Sequence, residues 1–113
     1  MLRSEVWLIN LDPTIGSEIR KTRPAIIVND DQIGVLPLRV IVPLTDWKNR
    51  YQIAAWLVKI IPTDTNGLSK VSAIDTFQVR SLSQKRFIRK LGSVDDDTMR
   101  AIEKALATVF AIS

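Results

Sequence analysis

The chain contains no cysteine and no histidine in its 113 residues. The first absence excludes disulfides and thiolate chemistry and fits the cytoplasm. The second removes the usual acid/base at neutral pH and the commonest metal ligand. Any catalysis must therefore run on carboxylates, arginine, lysine, hydroxyls or backbone, and no metal or cofactor is expected. Long apolar runs are missing too. None approaches the roughly 18 residues of a membrane span. The opening Met1-Leu2-Arg3-Ser4-Glu5 reaches its first charge before any apolar stretch, so neither a signal peptide nor membrane attachment is expected. No repeat, low-complexity segment or linker interrupts the chain, so residues 1–113 are expected to form one domain. A chain of this length buries roughly 65% of its unfolded surface and needs no staples.

What is present leans basic. Sixteen Lys and Arg against twelve Asp and Glu give a net charge of +4 and a pI near 9.8. That bias permits an anionic partner, though many proteins with such a charge bind no nucleic acid.

The stretch at 16–24, Gly-Ser-Glu-Ile-Arg-Lys-Thr-Arg-Pro, is polar between two apolar runs, Val6-Trp7-Leu8-Ile9 and Ala25-Ile26-Ile27-Val28. It reads as a long loop joining two strands, a common place for chemistry on a rigid sheet. Arg20, Lys21 and Arg23 give it a cationic tip suited to phosphate, and Glu18 adds a proton acceptor. A solvated hairpin loop is the plainer reading. Pro24 pushes Arg23 toward extended backbone, which aims its guanidinium from the start of the second strand.

Strands are expected over 5–11, 24–28, 39–44, 53–61, 71–74 and 87–91, with 77–80 continuing the sheet after a kink. The continuous apolar run at 24–28 implies cover on both faces. Asn29-Asp30-Asp31 can cap a short helical turn before Gly34. Pro43 argues for an edge or a strand end, and Thr45 closes that strand. Asp46-Trp47-Lys48-Asn49-Arg50-Tyr51 interleaves aromatics with cations, a pattern that either stacks bases and holds phosphates or packs over a rim. Trp56, Val58 and Ile60 should share one face of the fourth strand. Asn66-Gly67 is the strongest turn signal. Residues 81–86 look like one helical turn capped by Ser81 or Ser83.

The C-terminal helix has an N-cap at Asp95, a hydrophobic staple between Val94 and Met99, and Asp96 and Asp97 in its first turn. Met99, Ile102, Leu106, Val109 and Phe110 form its apolar stripe. Capping explains the three adjacent acids better than metal binding, because neighbouring helical residues diverge around the axis. The expected fold is mainly β with α: a small barrel of the SH3-like kind, five to seven strands, closed by this helix.

The ordered series Glu5-Val6-Trp7-Leu8, Leu11-Asp12-Pro13, Gly16-Ser17-Glu18 and Lys21-Thr22-Arg23-Pro24 resembles the MazF/PemK family of toxin endoribonucleases. The resemblance continues through Pro43-Leu44-Thr45, Asn66-Gly67-Leu68, Gln78-Val79-Arg80, Lys85-Arg86 and Leu91-Gly92. It implies an SH3-like barrel, usually a homodimer, that cuts single-stranded RNA at short sequences without a metal. The products would be a cyclic phosphate and a 5′-hydroxyl, and a cognate antitoxin, expected to be acidic, would hold the toxin inactive. The family's loop arginine maps to Arg23, its strand-end threonine to Thr45 and its loop glutamate to Glu18, the catalytic candidates. RNA-binding candidates are Ser17, Arg20, Lys21, Trp47, Lys48, Arg50, Asp75, Gln78 and Arg80.

Two departures stand out. Ser17 replaces a histidine found in some relatives, and Phe77 stands where many carry an acid before Gln78. Asp75 lies two residues earlier. It either takes over base recognition or proton work, or simply bonds nearby backbone at a strand end. Arg80 and Arg86 either touch RNA or pair with surface acids. Two further functions stay open on fold grounds. One is a gyrase poison, which needs the helix tip around 110–113 and neither the Arg-Pro loop nor Thr45. The other is a catalytically dead barrel that only binds RNA or protein.

Overall fold

A computed structural model describes residues 1–33 and 36–113. Seven strands lie in it: β1 (Glu5–Asn10), β2 (Thr22–Ile27), β3 (Leu38–Asp46), β4 (Leu57–Ile60), β5 (Ser72–Asp75), β6 (Arg80–Ser83) and β7 (Phe87–Ser93). Helix α1 (Asp96–Val109) follows. The sheet order is β4-β5-β3-β2-β1-β7, with β6 also on β3, and every pairing is antiparallel. This is the small barrel with a C-terminal helix expected from the sequence.

Strand β2 explains the closure. Its alternate residues serve two cores: Ile26 and, just beyond the strand, Val28 enter one, while Ala25 and Ile27 enter the other. Both faces are covered, as the unbroken apolar run implied. The first core joins Val42, Leu44, Ile60 and Ile74 to Met99 and Ile102 of α1. The second gathers Ile9, Leu11, Ile41 and Leu82.

Strand β3 is the fork. Residues 38–41 pair β6, residues 44–46 pair β5, and residues 41–43 pair β2 on the other edge. Pro43 therefore stands inside a central strand, fully buried, and not at an edge or strand end. The strand changes partners there, so a residue without an N–H sits in the gap between two ladders.

Other boundaries differ from the sequence pattern. The fourth strand is only Leu57–Ile60, because Asn49–Ile53 winds into a 3-10 turn first. Trp56 thus precedes the strand and packs edge-on against Phe77, with centroids 6.3 Å apart. The segment expected as one helical turn at 81–86 splits. Residues through Ser83 pair with β3, and only Gln84–Arg86 forms a 3-10 turn, capped by Ser83 accepting from the Lys85 N–H. Leu82 decides this, since burying it in the second core outweighs the local capping tendency of its serine neighbours. The turn after Asp30 is Asp31–Ile33, while Gly34, expected to end it, lies outside the described residues.

Helix α1 follows the sequence closely. The Asp95 carboxylate accepts from the Thr98 N–H at 2.8 Å, and Val94 and Met99 are both buried. The stripe is Met99, Ile102 and Ala105, with Leu106 and Val109 half-buried. Phe110 falls off it: it is the C-cap and 58% exposed, since the helix ends before that residue can turn inward.

Candidate active site

The cleft floor is a row across three strands. Arg89 of β7 stands opposite Leu8 of β1, which stands opposite Pro24 of β2. Arg23, one place before Pro24, opposes Ile9. The far wall is the end of β3, with Leu44, Thr45 and Asp46, and the segment 67–70 closes the third side. Arg23 and Thr45, 22 residues apart in sequence, thus line one cleft of about 360 Å³. Arg89, Lys70, Ser69 and Ser72 share it.

Arg23 is unusual within this cleft. Its Nε is buried and has no hydrogen-bond partner. Among the described residues no carboxylate pairs with its guanidinium. Most buried polar atoms find partners, so this unpartnered Nε stands out among the side chains of the cleft. Lys70, by contrast, pairs Asp46 at 3.3 Å across the wall, a solvent-exposed contact that contributes little to stability.

Thr45 also lines a second hollow of about 430 Å³, together with Arg50, Tyr51, Trp56, Leu57 and Asp75. Asp75 is the N-cap of the 3-10 turn Thr76–Gln78. Its Oδ1 accepts from the Phe77 N–H at 3.1 Å and its Oδ2 from Gln78 Nε2 at 3.2 Å. Burial pushes the Asp75 carboxyl above the ordinary aspartate value, and these hydrogen bonds only partly offset it. The folded chain therefore holds that proton more tightly than the unfolded one. Asp75's contribution to stability is fullest below the unfolded carboxylate range and is lost as pH rises through the raised folded value. Asp75→Asn removes the titration and forfeits one bond to Gln78. The melting temperature of the variant minus that of the parent should therefore be more positive at pH 7 than at pH 3, whatever its sign at pH 3. A difference that does not change between the two pH values, by thermal melts, contradicts this.

The remaining predicted residues lie off the Arg23–Thr45 cleft. Glu18 is exposed and does not line the cleft; its Oε1 accepts from the Ile15 N–H at 2.6 Å, within its own loop. Ser17 is also exposed, and its carbonyl accepts from Gln78 Nε2 at 3.3 Å. Gln78 Oε1 in turn accepts from the Ile19 N–H at 2.6 Å, so this one amide ties the loop to Asp75. Arg20 and Lys21 are exposed on the loop; the Lys21 N–H donates to Asp12 Oδ1 at 3.0 Å.

Arg80 and Arg86 pair with no surface acid among the described residues. They donate to backbone carbonyls of Leu11, and of Asn10 and Asp12, and clamp the root of the loop. Trp47 lines neither hollow. It packs edge-on to Tyr51 at 5.8 Å, with Lys59 over its ring. Lys48 is exposed beside it. Arg50 lies over Tyr51, 5.4 Å from the centroid.

Sequence reasoning missed Arg89, Lys70 and the placement of Asp46 on the cleft wall. Only Arg89 had a signal: with Leu91 it recurs at the two-residue period of one strand face.

The family profile described as PemK-like, MazF-like toxin of type II toxin–antitoxin systems matches residues 2–110. Endoribonuclease MazF9 of Mycobacterium tuberculosis is 30% identical over 112 residues, covering 94% of this chain and 92% of that protein. Endoribonuclease PemK of Escherichia coli is 32% identical over 111 residues, covering 96% and 81%. A solved mycobacterial endoribonuclease in complex with its cognate antitoxin superposes with a TM-score of 0.78 at 23% identity, covering 100% and 97%, which bears on the fold alone. With a profile match over nearly its whole length, the chain belongs to the PemK-like, MazF-like toxins of type II toxin–antitoxin systems.

Proposed function

We propose that the cleft between Arg23 and Thr45 is where this toxin-family endoribonuclease cuts single-stranded RNA, sequence-selectively and without a metal, by attack of the 2′-hydroxyl on the adjacent phosphate. The observation that carries the reading is Arg23, which has no carboxylate partner among the described residues and lines one cleft with Thr45, Arg89 and Lys70.

The chemistry requires three things. The 2′-hydroxyl must lose a proton, negative charge must be held on the non-bridging oxygens, and the departing 5′-oxygen must gain a proton. The guanidinium fork of Arg23 suits the second task, since it stays charged and matches phosphate geometry. Thr45 donates a hydrogen bond to the same group. For the first task the family resemblance offers Glu18, but Glu18 is committed to Ile15 and lies off the cleft lining. Asp46 is ion-paired with Lys70 at 3.3 Å but stands on the cleft wall, so it is the acceptor that the cleft itself supplies. Arginine matches proton transfer at neutral pH poorly, because its pKa lies above about 12, so Arg23 acts foremost as the charge stabiliser and second as the donor of the proton that the departing 5′-oxygen takes, with the proton from the 2′-hydroxyl passing to Asp46.

An acidic segment of a cognate antitoxin would cover the same cations and compete with RNA. A homodimer is proposed with it. The small apolar hollow between Trp56, Phe77 and Val109, with Phe110 and Ile112 exposed nearby, is surface that a second copy would cover. With RNA as substrate, the cytoplasm is the place of action.

Incubating the purified protein with a long RNA in excess EDTA, without gyrase, tests the reading. New 5′-hydroxyl ends and cyclic phosphates at recurring short sequences are expected, and binding should weaken as salt rises. RNA left intact would favour the gyrase poison or the non-catalytic barrel and defeat the assignment.

A further inference from the structure

The second hollow shares Thr45 with the cleft, so the two adjoin at that residue. Its volume of about 430 Å³ is enough for one nucleoside. Its lining is mixed in a particular way. Tyr51 and Trp56 offer ring faces, and aromatic faces stack any base. The one carboxylate is Asp75, half-buried and with no cation within ion-pair distance among the described residues.

The Asp75 carboxylate is already oriented. Oδ1 accepts from the Phe77 N–H and Oδ2 from Gln78 Nε2, and the Gln78 backbone N–H also lies against the carboxylate, outside full hydrogen-bond geometry. An ionised carboxylate has two acceptor positions per oxygen. Beside those two full bonds one position on each oxygen remains, and the pair suits a ligand with two adjacent donors. Among the four RNA bases only guanine has them, at N1–H and the N2 amino group. Adenine and cytosine set an acceptor nitrogen beside their amino group, which one carboxylate oxygen would repel. Uracil has one N–H between two carbonyls. Arg50 in the same hollow can donate to guanine O6.

Resting on the RNA-cleavage reading, we infer that Asp75 reads the Watson–Crick edge of a guanine seated beside Tyr51 and Trp56, next to the cut. Phe77 packs on Trp56 at the edge of this hollow.

The test uses three RNAs transcribed from one template with guanosine, inosine or 7-deazaguanosine triphosphate. Inosine lacks only the N2 amino group, whereas 7-deazaguanosine keeps the whole Watson–Crick edge. Cleavage sites mapped on the guanosine RNA should share a guanine at one position beside the cut. Inosine RNA should be cut at least tenfold more slowly there, and 7-deazaguanosine RNA at the ordinary rate. Asp75→Asn presents one donor and one acceptor in place of two acceptors, so its mapped sites should lose the guanine and admit adenine or cytosine.

Equilibrium binding of a guanosine pentanucleotide against its inosine counterpart, with a 2′-deoxy linkage at the cut, is read in parallel. There too a tenfold preference is expected. Cutting without a guanine at that position, or equal rates and affinities for guanosine and inosine RNA, overturns the Asp75 assignment and leaves the nuclease standing. Guanosine-selective binding with no cleavage upholds the assignment and overturns the nuclease.

Discussion

Arg23→Ala should lower the single-turnover rate of RNA cleavage by at least about a hundredfold to a thousandfold, the usual loss when a preorganised donor to a developing oxyanion is removed. The melting temperature should barely move. Arg23 has a buried, unpartnered Nε and no ion pair among the described residues, so the fold gives up almost nothing with it. Removing an unneutralised cation beside Arg89 and Lys70 also relieves repulsion, so a small rise in stability would fit the same picture. Arg23→Lys should fall between parent and alanine, because it keeps the charge and loses the fork. Thr45→Val preserves shape and suits the strand, so it should also fold, and it should cut at least tenfold more slowly. Binding of intact RNA should weaken less than cleavage for both, because the other cations remain. If both variants cut at the parental rate, the cleft is not where the reaction happens.

The parts of this site legible in the sequence were those set by local rules. Pro24 forces extended backbone at Arg23, and the apolar run after it fixes β2 in the barrel centre, so the direction of that guanidinium followed from two residues. Thr45 was legible as the end of an apolar strand. What was hidden depends on strands meeting. β3 divides its pairing between β6 and β5 at Pro43, and nothing in a proline announces a fork instead of an end. Strand β6 was read as a capped turn because Ser81 and Ser83 suit caps, while the burial of Leu82 that overrides them is a tertiary fact. Arg80, Gln78 and Arg86 read as RNA ligands or as partners of surface acids, and neither alternative foresaw that they hold the Leu11, Asn10 and Asp12 carbonyls and the 17–19 loop, which only the folded positions of those segments reveal. Glu18 was assigned through the family resemblance, and the loop folds its carboxylate back onto Ile15.

Gly67→Ala should be the most destabilising single-methyl addition near the cleft. The segment 65–67 crosses the segment 91–93 backbone to backbone. A Cβ on Gly67 would lie 2.0 Å from the Leu91 carbonyl oxygen, and one on Gly92 would lie 2.1 Å from the Thr65 carbonyl oxygen. The obstacle in both cases is main chain and cannot rotate away. Gly67 also has φ +69°, where a side chain adds its own strain. Overpacking and backbone strain together put the cost at about 3 kcal/mol or more. Neighbouring Asn66 cannot absorb the shift. Its side chain is buried and accepts from the Thr63 and Leu68 N–H groups while donating to the Ile61 carbonyl, each at 3.0 Å. Because Gly67, Leu68 and Leu91 all line the cleft, the distortion should reach the site as well. The expected result is a large drop in the urea midpoint together with lost cleavage, unlike Arg23→Ala, which loses cleavage alone. Gly16→Ala is the control. Gly16 has φ +61° but open space around the added methyl, so it should cost only the strain of its conformation, about 1–2 kcal/mol. Equal midpoints for the Gly67 and Gly16 variants would show that the crossing yields and that the cleft is not held by this contact.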